Sequence, residues 1–148
     1  MSWQVTLTER LRYLLDDSDT TEYSTNRLSK FLAIAAFEVF NNISLKNSYS
    51  VDTTIPSINP DPESTPVAPL IVLKAYEIIL RQEYKKLATT AGWKINDDRS
   101  SISGQGALDV LKDLLNKAAK QYKDAEVSYL TNDGNIGMAV MGPYTSNQ

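Results

Sequence analysis

Pro69-Leu70-Ile71-Val72-Leu73-Lys74-Ala75-Tyr76-Glu77-Ile78-Ile79-Leu80 is the stretch on which the fold turns. Ten of its twelve residues are apolar, aromatic or proline, and the apolar character continues to Leu87. The pattern predicts a helix that starts between Pro66 and Pro69, because proline is tolerated in a first turn. It runs to about Thr90, with Gly92 in the left-handed position just past its end. Its only polar stripe is Lys74, Glu77, Arg81 and Lys85. A helix apolar on so many sides has to be wrapped by neighbours, from its own chain or from other copies. Glu77 and Arg81 are ordered for an i,i+4 pair.

A second helix is predicted over 24–42, capped by Ser24 or Thr25. Leu28, Phe31, Leu32, Ala35, Val39 and Ile43 recur at three-and-four spacing, and Ile34, Phe37 and Phe40 widen that face. Residues 6–16 read as a short first helix with Leu7, Leu11, Leu14 and Leu15 on one face. Thr6 and Glu9 have the spacing of a capping box, and the turn formers from Asp16 to Thr20 end it. The last helix begins near Gln105 or Gly106, with Ser103 as cap. Leu108, Leu111, Leu115, Ala118, Tyr122, Ala125 and Tyr129 make a heptad-like seam. The seam reads first as the core face of a bundle helix and second as a coiled coil.

The connection over 43–66 carries Pro56, Pro60, Pro62 and Pro66, which forbid a regular helix. Tyr49, Val51 and Ile55 suggest a brief extended or hairpin-like excursion there. A long loop of this kind is either a surface connection or an interaction loop. After Asn132-Asp133-Gly134-Asn135, a strong turn signal, comes uncharged Ile136-Gly137-Met138-Ala139-Val140-Met141. Alone it is a sticky strand; laid on another subunit it adds main-chain hydrogen bonds. The expected fold is all-α: about four helices, a long proline-containing loop and an extended C-terminal arm. The helical domain covers 1–130, with the loop inside it, and the arm covers 131–148.

Composition narrows the chemistry. The 148 residues contain no cysteine and no histidine. That removes thiolate chemistry, the commonest metal ligand and the usual general base. Asp97 and Asp98 are adjacent carboxylates beside Arg99, but neighbours in sequence point different ways and no third ligand stands at a recognisable spacing. They read as a solvated loop. Ser103-Gly104-Gln105-Gly106 lacks the strand and lysine of a phosphate cradle and reads as a sharp turn into the last helix. Trp93, after Gly92, reads as an anchor pinning its loop to the core or to a partner. No metal, cofactor or enzymatic activity is expected. A net charge of −3 argues against tight binding to a phosphate backbone. No signal peptide or membrane-spanning run is visible, which predicts a soluble, intracellular protein.

The order of parts resembles a known family. Two N-terminal helices, a proline-bearing loop and a long apolar helix lead to Gly92-Trp93-Lys94-Ile95, Asn96-Asp97-Asp98-Arg99 and Ser100-Ser101-Ile102, then to a final helix and tail. Over about 70–129 this is similar to the head–tail connector, or adaptor, proteins of tailed bacteriophages. The resemblance implies a structural subunit of the virion neck, forming a ring of twelve copies below the portal protein and above a stopper or tail-completion protein. It implies a site of assembly in the host cytoplasm and a channel that DNA passes through without specific binding. Partner contacts are then expected at Trp93, Ile95, Ile102, Tyr129, Ile136, Met138, Val140 and Met141. The alternative is a small helical protein-binding or regulatory protein that dimerises through its last helix.

Overall fold

The long apolar helix is the axis on which the other elements pack. In the computed structural model it is α3 (Ala68–Lys94); before it come α1 (Trp3–Leu15) and α2 (Thr25–Asn42), and after it α4 (Ser101–Asn132). Between α2 and α3 lies a two-stranded antiparallel hairpin, β1 (Ser50–Asp52) and β2 (Ser57–Asn59), with Val51 paired to Ile58. The structure describes residues 2–45, 47–94 and 101–132, and of 90–94 and 101–105 the backbone alone. The expected all-α bundle with a proline-bearing loop is what is observed.

α3 packs against α1, α2 and α4. Leu70, Ile71, Val72, Ala75, Ile79 and Leu80 are all buried. The first half of this helix is therefore enclosed by its own chain, the first of the two covers the sequence left open. From α2, Leu28, Leu32, Ala35, Ala36 and Val39 meet it, and from α1, Leu7 and Leu11. Each fully buried leucine or isoleucine contributes roughly 1.5–3 kcal/mol by leaving water. The stripe on α3 is not wholly water-facing either: Glu77 is only 5 % exposed.

Ser24 caps α2 as expected, its Oγ accepting from the Arg27 N–H at 3.2 Å. α1 differs from expectation. It starts at Trp3, with Ser2 as cap, and Thr6 is not a cap. The Thr6 hydroxyl donates to Glu63 Oε1 at 2.7 Å, and Trp3 N–H donates to Asp61 Oδ2 at 3.1 Å. Carboxylates of the long loop thus occupy the positive end of α1, where negative charge is favoured. The loop itself is ordered by its own chemistry. Asp52 Oδ1 accepts from Thr54 and Ile55 N–H groups and closes the hairpin turn, leaving Ile55 at the exposed tip. Ile58, Pro62 and Val67 are buried.

Two helix ends are also corrected. α3 runs through Gly92 to Lys94, and α4 starts at Ser101, so Ser103 is no cap and Gly104 and Gly106 lie inside a helix. A glycine costs a helix interior only about 1 kcal/mol, too little to stop two long helices that pack on each other.

Candidate functional site

α2 and α4 occupy separate flanks of α3 and do not pack on one another among the described residues. Between them lies a polar cleft of about 420 Å³, lined by Asn42, Lys74, Glu77, Ala119, Tyr122, Lys123 and Glu126. Its charges compensate one another. Lys74 Nζ is 3.4 Å from Glu77 and 3.6 Å from Glu38, and Arg81 donates to Glu77 at 2.6 Å. Lys74 also lies 4.8 Å above the Tyr122 ring, a cation–π contact that strengthens as water is removed. Burial first, then the Glu126, Glu77 and Glu38 carboxylates, push the Tyr122 hydroxyl well above the ordinary phenol range. Lys74 therefore ties α2, α3 and α4 together through one ammonium group. The cleft is a structural clamp, with its ion pairs already made.

One turn further along α4, near its C-terminal end, Tyr129 is half-buried and lines two adjoining clefts. One, of about 320 Å³, lies among Pro66, Pro69, Leu70, Ala125 and Asn132; the other, of about 150 Å³, among Leu45, Tyr49, Pro66 and Val67. This is the one expected contact residue whose side chain is described. Trp93 and Ile102 fall within α3 and α4, but their side chains, together with Ile95, Ile136, Met138, Val140 and Met141, lie outside the described residues, as do Asp97 and Asp98.

The least covered surface is elsewhere. From Arg81 to Thr89 on α3 and from Gly106 to Lys117 on α4, no residue is buried. The two helices run on as a bare pair beyond the layer formed by α1 and α2. Leu108, Leu111 and Leu115 are half-buried against α3, while Val110 (61 % exposed) and Leu114 (38 %) face outward. On α2, Ile34 (38 %) and Phe37 (52 %) are exposed as well. Sequence reasoning placed Phe37 on a buried face and did not single out Val110 or Leu114. The signal was present: Val110 and Leu114, four residues apart, widen the seam beyond what one facing helix covers.

Among the described residues, no group of three or more Asp or Glu side chains is arranged to hold a metal ion, and no helix is long and apolar enough to cross a membrane. No protein-family model matches the chain, and neither a curated protein nor a solved structure matches it.

Proposed function

We propose that this chain is a structural adaptor subunit of a tailed-bacteriophage neck. It assembles into a ring, of twelve copies by the family resemblance, that joins the portal protein to a stopper or tail-completion protein. DNA passes through the ring without specific binding, and the subunit's role is mechanical, not catalytic. The observation that carries this reading is the bare α3–α4 pair, together with the exposed apolar patch on α2. Two long helices with no buried residue among the described side chains of their outer halves gain stability from packing against something else. A ring supplies that cover, since a head-to-tail interface uses two different faces of each subunit. The order of parts over 70–129 supports the phage assignment, and a mildly acidic chain suits a channel through which DNA slides.

The test is to mix purified protein with portal rings and image by electron microscopy. Decoration of the portal ring by a second, coaxial ring is expected; bare portals at high subunit concentration refute the reading. The half-buried seam of Leu108, Leu111 and Leu115 favours a second reading, dimerisation through α4 by a binding or regulatory protein. Light scattering separates the two: a stable dimer that ignores portal rings supports the second.

A further inference from the structure

We propose that residues 136–141 of each chain dock back into that chain's own pair of clefts beside Tyr129, as an extended arm laid between the end of α4 and the start of α3. The contact needs no second copy and does not rest on the adaptor reading. α4 ends at Asn132, and Asn132 itself lines the larger cleft. Asp133-Gly134-Asn135 follows, a strong turn signal, and then Ile136-Gly137-Met138-Ala139-Val140-Met141. A reversal at the turn sends the chain back along the helix it has just left, over the cleft.

Reach confines the arm to this end of the molecule. From Asn132 to Ile136 is four steps, at most ~14 Å of extended chain. Leu114 and Val110, the exposed apolar pair of α4, lie ~27 Å and ~33 Å back along the helix from Asn132 at about 1.5 Å per residue. Ile136 cannot touch either of them in any conformation. The larger cleft, by contrast, begins at Asn132 itself, and the smaller adjoins it across Pro66 and Tyr129, which line both.

The chemistry matches as well as the distance. Neither cleft has a charged side chain in its lining, whereas the polar cleft has Lys74, Glu77, Lys123 and Glu126. After Asp133 no residue to 148 is charged. In an extended arm alternate residues share a face, so Ile136, Met138 and Val140 go one way and the small Gly137 and Ala139 the other. An arm with one bulky apolar face and one slim face suits a trough lined by leucine, valine, proline and tyrosine. Asn47, Ser128 and Asn132, also in the linings, are polar and exposed, and they supply hydrogen-bond partners for the arm's main chain. Three buried side chains are set against the cost of ordering the whole arm. A chain end also opens and closes independently of the core. The arm therefore comes off well below the melting temperature of the domain, and a local readout is needed to see it.

The chain has no cysteine, so introduced pairs report on proximity alone. Val127 and Ser128 are neighbours and nearly equally far from the arm along the chain. Only Ser128 lines the cleft; Val127, 56 % exposed, lies ~100° away round α4. Met138→Cys is combined with each of Ser128→Cys and Val127→Cys in the full chain and oxidised at low protein concentration. Thiol loss is followed by mass spectrometry and on a non-reducing gel. The intrachain disulfide with Ser128→Cys should form at least about tenfold faster than that with Val127→Cys, because docking raises the effective concentration on one side of the helix only. Adding Ile136→Ser and Val140→Ser should bring the Ser128→Cys rate down to the Val127→Cys rate. Both α4 positions are exposed, and unchanged circular dichroism checks the fold. Equal rates for the two pairs, or a Ser128→Cys preference that survives the serine changes, would overturn the proposal. So would disulfides that join two chains at high dilution, which would give the cleft to another copy's arm. Portal rings play no part in this test, so its failure leaves the adaptor reading standing, and bare portals leave this contact standing.

Discussion

Replacing Glu77 by leucine should destabilise the subunit by about 3 kcal/mol, the lower end of what breaking a buried ion pair costs. The magnitude follows from what each partner loses. Leucine keeps most of the volume, so little cavity forms and the loss is electrostatic. Arg81 loses its 2.6 Å contact, but its side chain is 49 % exposed and returns to water at little cost. Lys74 cannot do so. Its side chain is 12 % exposed, and its remaining partners are Glu38 at 3.6 Å and the face of Tyr122. The destabilisation is thus a stranded ammonium and not a lost contact. For a domain of this size, about 3 kcal/mol lowers the melting temperature by about 6–12 °C. Thermal and urea unfolding followed by circular dichroism give both numbers. Because Lys74 is the cause, adding Lys74→Met should recover most of the loss, since apolar replacement of a buried ion pair is often neutral. A single variant that loses less than about 1 kcal/mol, or a double variant no better than the single, refutes the account.

Asp17 accepts from the Glu22 and Tyr23 N–H groups and from Arg12; burial pushes its carboxyl up, and these contacts together bring it below the usual value. Its contribution is therefore present above about pH 4 and lost as pH falls further, and Asp17→Asn should flatten the acid limb of melting temperature against pH. Tyr23 is pushed up to about 12 by burial and by Glu83. The neutral phenol is the form the fold favours, so stability is complete below pH 10 and declines from there towards pH 12; Tyr23→Phe should remove that alkaline slope, and ultraviolet titration should show the late ionisation. The described core closes within residues 2–132, so deleting 133–148 should leave the melting temperature unchanged while weakening assembly, measured by sedimentation.

Local signals read well where nothing distant competes with them. α2 carries its own cap in Ser24 and its own period in Leu28, Leu32, Ala35 and Val39, and both are as expected. Thr6 and Glu9 form an equally good local pattern, yet the Thr6 hydroxyl goes to Glu63, fifty-seven positions away. What caps α1 depends on where the loop carboxylates arrive, which spacing does not encode. Glu77 shows the same limit in charge. Its i,i+4 pairing with Arg81 was legible and is observed, but its burial was not, because that depends on α2 and α4 packing on α3 and not on spacing within α3. The glycines failed as stop signals for a matter of magnitude. About 1 kcal/mol per glycine is smaller than what the facing helix contributes.

The exposed apolar face of α2 was the least legible part for a related reason. Phe37 and Phe40 are three residues apart on α2 and equal in hydrophobicity. Phe40 is stacked on Tyr49 of the long loop, ring centres 4.4 Å apart and planes 17° from parallel, and is half-buried. Phe37 has no such cover and is 52 % exposed. Phe31, six residues earlier, lies beneath Arg27 at 5.8 Å. The loop, in other words, chooses which aromatic of α2 stays outside. The same loop is also held on α1, through Asp61 and Glu63. Moving that loop would change how much apolar surface α2 exposes. Tyr49→Ala should therefore expose Phe40, broaden the apolar face and make self-association less specific, which cross-linking through Ile34→Cys would register as additional bands. An unchanged band pattern would mean that the loop covers Phe40 without shaping the interface.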